Sequence, residues 1–114
     1  MSSLSNGIYS MTITTCADRE SAKRLAHALV EANLAACVQM FPVESVYTWQ
    51  GKICQDGEIS VLIKSRTGLF DKIADAIKEN HTYELPEIIQ VPITDGLPDY
   101  LDWIGEAVIG VDRQ

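Results

Sequence analysis

A chain of 114 residues is long enough for one domain with a core of its own, and it needs no disulfide or metal to hold it together. With 46% apolar and 22% charged residues it has the composition of an ordinary globular protein, which excludes global disorder. Nine Lys and Arg against sixteen Asp and Glu leave a net charge of −7. That balance argues against sequence-independent binding to nucleic acid and against docking on anionic lipid, both of which need clustered cations.

The N-terminal Met1-Ser2-Ser3-Leu4-Ser5-Asn6-Gly7 has no basic run followed by an apolar one, so no secretory signal is expected. Residues 1–6 are expected to be a flexible tail to a single domain spanning 1–114. Over residues 7–15, Ile8, Ser10, Thr12 and Thr14 alternate with Tyr9, Met11, Ile13 and Thr15, and the β-branched content predicts a strand. Asp18 can cap a helix. Behind it Ala22, Leu25, Ala26, Leu29 and Val30 recur on one helical face, with Asn33 as the stop. Residues 35–50 return to strand character. Pro42, which cannot donate to a ladder, marks a bend or an edge position there. Gly51 turns the chain, and residues 52–65 run back as a hairpin partner with an expected break at Gln55-Asp56-Gly57.

Thr67 is the expected N-cap of a second helix whose apolar face is Phe70, Ile73, Ala74 and Ile77, ending near Asn80. Residues 81–86 read as a loop and 87–93 as a strand. Pro98 suits the first turn of a last helix, with Tyr100, Leu101, Ile104 and Val108 toward the core. The order β-α-β-β-α-β-α predicts an α+β fold of the ferredoxin-like type, an antiparallel sheet with helices on one face. The other face then needs cover. The hairpin carries Phe41, Val46, Tyr47, Trp49 and Ile53, more apolar surface than a solvated face holds, so self-association is expected.

Five blocks carry a family resemblance. They are Leu34-Ala35-Ala36-Cys37-Val38, Val46-Tyr47 with Trp49 and Gly51-Lys52, Glu58 with Ile63-Lys64, His81 with Tyr83-Glu84 and Pro86-Glu87-Ile88, and Tyr100-Leu101 with Trp103. In this order and spacing they resemble the CutA divalent-cation-tolerance family from about Tyr9 to Val108. The resemblance implies a ferredoxin-like subunit in a homotrimer whose hairpin strands pair between subunits, with Tyr47, Trp49 and Trp103 at the interface. It implies a cytoplasmic role in tolerance of divalent cations, copper above all, with no obligatory cofactor. The family's trimer is also similar to PII-type signalling proteins, which leaves an adaptor binding a small molecule or a partner protein as the alternative.

The resemblance makes His81 the first candidate metal ligand, with Glu84 and Glu87 on the same loop. Imidazole and carboxylate suit Cu(II). The competing reading has His81 closing the second helix by bonding its last carbonyls. Where the family motif has Pro after the histidine, this chain has Thr82, which frees His81 from the restraint a following Pro imposes. The thiol proposed as a ligand in some relatives falls at Thr14. Cys16, two places on, is a further candidate ligand, weighed against a small buried residue at a strand end. The three cysteines, Cys16, Cys37 and Cys54, form no C-x-x-C pair, so neither a disulfide framework nor a Cys-rich zinc site is expected, and free thiols fit the cytoplasm. Cys37 reads as core packing, Cys54 as a surface thiol and His27 as a solvated helix residue. Lys64, Arg66 and Lys52 could hold an anion between subunits, without a Gly-rich phosphate loop. Neither G-x-S-x-G nor H-E-x-x-H is present, and an enzyme is not expected.

Overall fold

The computed structural model describes residues 8–110; the tail expected over 1–6 lies outside the described residues. Four strands, β1 (Tyr9–Cys16), β2 (Cys37–Trp49), β3 (Lys52–Arg66) and β4 (Ile89–Pro92), alternate with α1 (Arg19–Glu31), α2 (Phe70–Glu79) and α3 (Pro98–Ala107). The sheet order is β2-β3-β1-β4, and every neighbouring pair is antiparallel. Two β-α-β crossovers are thus split by each other's strands, which is the ferredoxin-like arrangement read from the sequence.

Each boundary has a local cause. The Asp18 carboxylate accepts the Ser21 N–H at 2.8 Å and starts α1. That bond holds the Asp18 carboxyl below its ordinary pKa. Asn33, at φ 59, carries the chain out of the helix in the left-handed conformation that Asn tolerates. The hairpin turns on two residues, Gln50 and Gly51, both at positive φ, which a tight turn between right-twisted strands requires. Pro98 opens α3 at a first-turn position, where its missing N–H has no helical partner to lose.

Four expectations change, beginning with Tyr100, which stands exposed on α3 and not in the core. Thr67 does not cap α2: residues Thr67–Leu69 form a 3-10 turn, and the Thr67 hydroxyl hydrogen-bonds Ser10 Oγ instead. There is no break at Gln55-Asp56-Gly57, because Val46, Ser45 and Glu44 stand opposite and carry the ladder through. Val30 is exposed, since Leu29 and Leu25 already fill the seam of α1.

The core lies between the sheet and α1 with α2. Leu25, Leu29, Ile73 and Ile77 pack on Val61, Ile63 and Ile59 of β3, with Cys16 and Ala35 at the margin. Full burial of such an aliphatic side chain contributes about 1.5–3 kcal/mol. The same face of β1 presents Ser10, Thr12 and Thr14, opposite Ser65, Ile63 and Val61. Met11 and Ile13 therefore point to the far face, together with Leu62, Phe41, Ile89 and Val91. α1 and α2 share one face, as the fold requires. α3 lies across one end of the far face, bonded to Lys64 and Arg66, with Leu101 and Ile104 buried beneath it.

β3 outruns the sheet. β1 pairs only with its residues 59–66, and residues 52–58 pair with β2 alone. Seven residues at about 3.4 Å each make a two-stranded arm roughly 24 Å long. The arm accounts for a long axis of 47 Å against 27 and 26 Å.

Candidate functional site

The arm and the loop from His81 to Ile88 form the two walls of a groove of about 990 Å³. Tyr47, Trp49, Asp56 and Glu58 line it from the arm, and Thr82, Tyr83, Glu84, Leu85 and Glu87 from the loop. Neither wall contributes a lysine or an arginine. The hairpin register sets one polar pair: Tyr47 stands opposite Cys54, which places Asp56 diagonally across on the same face. The Tyr47 hydroxyl donates to the Asp56 carboxylate, which pushes the phenol up to about 12. The second pair bridges the walls, Tyr83 donating to Glu58 Oε2 at 2.7 Å. Burial, followed by that bond and the Glu58 charge, raises the Tyr83 pKa well above its ordinary value.

His81 stands at the base of the loop, half-buried, with both ring nitrogens engaged. Its Nε2 lies 2.6 Å from the Thr15 carbonyl oxygen, and its Nδ1 lies 3.1 Å from the Tyr83 backbone nitrogen. A carbonyl only accepts and an amide N–H only donates, so the ring is the neutral Nε2–H tautomer. The Tyr83 ring lies 4.6 Å away, tilted by 56°. The histidine thus pins the loop to the end of β1 and has no free lone pair for a metal. The helix-closing reading holds for the backbone alone: the His81 N–H reaches the Lys78 carbonyl at 3.5 Å, whereas the ring's partner is a strand carbonyl, and Asn80 Nδ2 bonds the Ala76 carbonyl at 2.8 Å in the last turn of α2.

Glu84 and Glu87 are exposed on the groove's outer wall. Cys16 is buried in the core cluster, and its thiol is pushed up first by burial and then by the charges of Asp18 and Glu58. It is a protonated packing residue and does not turn toward the loop. Thr14 is fully buried, and its hydroxyl has no hydrogen-bond partner. Among the described residues no three His, Cys, Asp or Glu side chains converge to hold a metal ion, so His81, Glu84, Glu87 and Cys16 do not form a ready-made ligand set.

The remaining candidates separate. Cys37 is half-buried opposite Lys64 on the far face, outside the core, and Cys54 is half-buried on the arm. His27 is exposed beside Glu31 at 4.0 Å. Tyr47 and Trp49 lie on the arm, whereas Trp103 stacks on Tyr100 of α3, centroids 5.4 Å apart. Lys52 at the arm's tip and Lys64 under α3 are twelve residues apart on one strand, about 40 Å. Asp56 and Glu58 are the groove residues that residue-by-residue reading passed over. Counting the register back from the Gln50-Gly51 turn would have found the Tyr47–Asp56 pair.

Comparison with known proteins bears on the whole of this architecture. The family described as CutA1 divalent ion tolerance protein matches residues 10–107. The chain belongs to this CutA1 family. The "Divalent-cation tolerance protein CutA" of Thermus thermophilus is 41% identical over 97 residues, 84% of this chain and 94% of that protein. "Protein CutA, chloroplastic" of Arabidopsis thaliana is 43% identical over 91 residues, 79% of this chain but only 50% of its own length. Among solved structures, the periplasmic divalent cation tolerance protein CutA of Archaeoglobus fulgidus is 38% identical and superposes with a TM-score of 0.88 over 90% of this chain and 100% of that one. The CutA1 of Shewanella sp. SIB1 is 43% identical, with a TM-score of 0.86 over 90% and 96%. CutA1 relatives thus carry both chloroplastic and periplasmic descriptions, and no helix among the described residues of this chain is long and apolar enough to cross a membrane.

Proposed function

We propose that this chain acts as a homotrimer in divalent-cation tolerance, with the β2–β3 arm as its main assembly element. The observation that carries the reading is the arm. A two-stranded ribbon is marginal in water on its own, yet this one leaves Val46 66% and Ile53 83% exposed, with Tyr47 and Trp49 beside them. A second copy covering these side chains supplies the burial that the sheet does not. Tyr47 and Trp49 are then interface residues at one end of β3, and Trp103 at the other.

Assembly turns the groove into a cleft between subunits, and the cation is placed there. Its first contacts are the exposed carboxylates of Glu84 and Glu87. Copper is the preferred ion, because it leads the divalent first-row series for oxygen and nitrogen donors. His81 joins only by giving up Thr15 and Tyr83, and Cys16 only by leaving the core. One CutA-like domain, a cytoplasmic location, no obligatory cofactor, no catalytic step, and no nucleic-acid or membrane partner complete the reading. The net charge and the free thiols support it.

One observation favours the second reading, an adaptor whose cleft takes a small molecule or a partner protein: the imidazole is already fully bonded. Calorimetric titration with Cu(II) and Zn(II), in a variant with all three thiols replaced, separates the two. About one ion per subunit, weakened in Glu84→Gln/Glu87→Gln, supports cation carriage. Absent binding, or binding indifferent to these residues and to His81→Ala, supports the adaptor.

A further inference from the structure

Two Asp-Gly pairs lie among the described residues, Asp56-Gly57 and Asp95-Gly96, and the fold holds them differently. Asp56 and Gly57 are part of β3, opposite Ser45 and Glu44 of β2, and the Asp56 carboxylate accepts the Tyr47 hydroxyl. Asp95 and Gly96 lie in the connection from β4 to α3. The Ile93 N–H bonds the Tyr9 carbonyl at 2.9 Å at one end of that connection, and the Leu101 N–H bonds the Leu97 carbonyl at 3.0 Å at the other. Between these ties Thr94, Asp95 and Gly96 bond to no other backbone group among the described residues. All three are exposed.

The Asp95 carboxylate is turned onto the next residue. The Gly96 N–H donates to Asp95 Oδ1 at 2.9 Å, so the carboxyl carbon bonded to that oxygen stands within reach of the Gly96 nitrogen. Two reacting groups held at contact distance need no encounter between molecules. Glycine brings no Cβ to obstruct the approach and allows the widest choice of φ and ψ. Asp56 also precedes a glycine, but its carboxylate is tied across the arm to Tyr47 and its backbone is extended in the ladder.

We propose that Asp95-Gly96 is a site of spontaneous covalent modification, at which the Gly96 nitrogen closes on the Asp95 side-chain carboxyl and the chain reopens as isoaspartate. In the first step the bond from Gly96 N to Asp95 Cγ forms and a Cγ–O bond breaks. The departing oxygen takes the amide hydrogen and the carboxyl proton away as water, leaving a five-membered succinimide. In the second step water adds at the main-chain carbonyl carbon of Asp95 and breaks its bond to Gly96 N. The mass is unchanged, nothing is oxidised or reduced, and the main chain now runs through Asp95 Cβ and Cγ, one methylene longer. The reaction is internal and needs only water. The connection carries none of Tyr47, Trp49 and Trp103, the residues assigned to contacts between copies. The consequence falls on α3. A Cβ on Gly96 would stand 3.2 Å from Leu101 Cδ2, so Gly96 is packed on a buried residue of that helix, and a longer connection shifts its first turn.

The test is prolonged warm incubation of the assembled protein at neutral pH, followed by peptide mapping, with isoaspartate read by enzymatic carboxyl methylation of the peptides. Expected is isoaspartate in the peptide holding residues 95–96, with no change of mass. It should accumulate about tenfold or more faster than in the peptide holding residues 56–57, because Asp56 must first give up a hydrogen bond to its charged group. An Asn-Gly pair closes the same ring with loss of ammonia, so any product at Asn6-Gly7, outside the described residues, is told apart by its own peptide and its gain in mass. In denaturant the two Asp-Gly peptides should react at the same rate, since the fold makes the difference. Gly96→Ala should slow the reaction at Asp95 in the folded protein, whereas misfolding would speed it at both positions. Aged wild type should exchange the Leu101 amide faster than fresh protein, and Asp95→Glu, whose longer side chain would need a six-membered ring, should not change on ageing. No isoaspartate at Asp95 in the folded protein, equal or faster formation at Asp56, or a difference that persists in denaturant overturns the proposal.

Discussion

Replacing His81 by Ala should loosen the 81–89 loop even when no metal is present. The imidazole makes two hydrogen bonds to backbone groups, to the Thr15 carbonyl at 2.6 Å and from the Tyr83 N–H at 3.1 Å. Each contributes about 1 kcal/mol net, and the half-buried position lets water replace them only in part. The expected loss is about 2 kcal/mol, or roughly thirtyfold in the local opening equilibrium. Hydrogen–deuterium exchange on metal-free protein reads this at the Tyr83 amide, which should exchange roughly thirtyfold faster in His81→Ala. His81→Gln, whose amide both donates and accepts, should recover part of the protection. A histidine held for metal alone would leave exchange in the metal-free protein unchanged, and that result would refute the clamp.

Three further outcomes follow from the same structure. Thr14→Val should raise stability by about 1 kcal/mol in chemical denaturation, because it removes a buried hydroxyl that has no partner; a loss of stability would show that the hydroxyl is satisfied. In an ultraviolet pH titration Tyr47 should ionise at about 12 and Tyr83 also above its ordinary value, and Tyr47→Phe should remove the transition at about 12. Both phenols are bonded in their protonated form, so their contribution to stability is fully present below about pH 10 and disappears as the pH rises through the folded values. Among the thiols Cys16 should be the last to react with a disulfide reagent at pH 8, since it is buried and its pKa is raised, while Cys37 and Cys54 react first; a fast-reacting Cys16 would contradict its place in the core.

The helices and the long hairpin were legible because their signals are local. Asp18 before a helical apolar stripe, Gly51 between two strands and Pro98 at a helix start each act within a few residues. What stayed hidden depends on pairing. The polar set on β1, Ser10, Thr12 and Thr14, turns toward the helices, while Met11 and Ile13 turn away. Alternation shows that two faces exist, but it cannot say which one the helices cover. Gln55-Asp56-Gly57 has the composition of a turn, yet it continues as strand because β2 stands opposite. The loop histidine was singled out, and its chemistry was set by the Thr15 carbonyl, 66 residues earlier in the chain. Lys64 and Arg66 were visible as charges, but their partners, the Tyr100 hydroxyl and the Gly105 carbonyl, depend on where α3 lies.

The oligomeric mass tests the central claim most directly. Size-exclusion chromatography with light scattering on metal-free wild type should give about three times 12.6 kDa, near 38 kDa. Trp49→Asp or Tyr47→Asp should shift that mass toward the monomer or into aggregates, because each places a charge on the apolar arm. A folded wild-type monomer of 12.6 kDa, or a trimer that survives both substitutions intact, would contradict assembly through the arm.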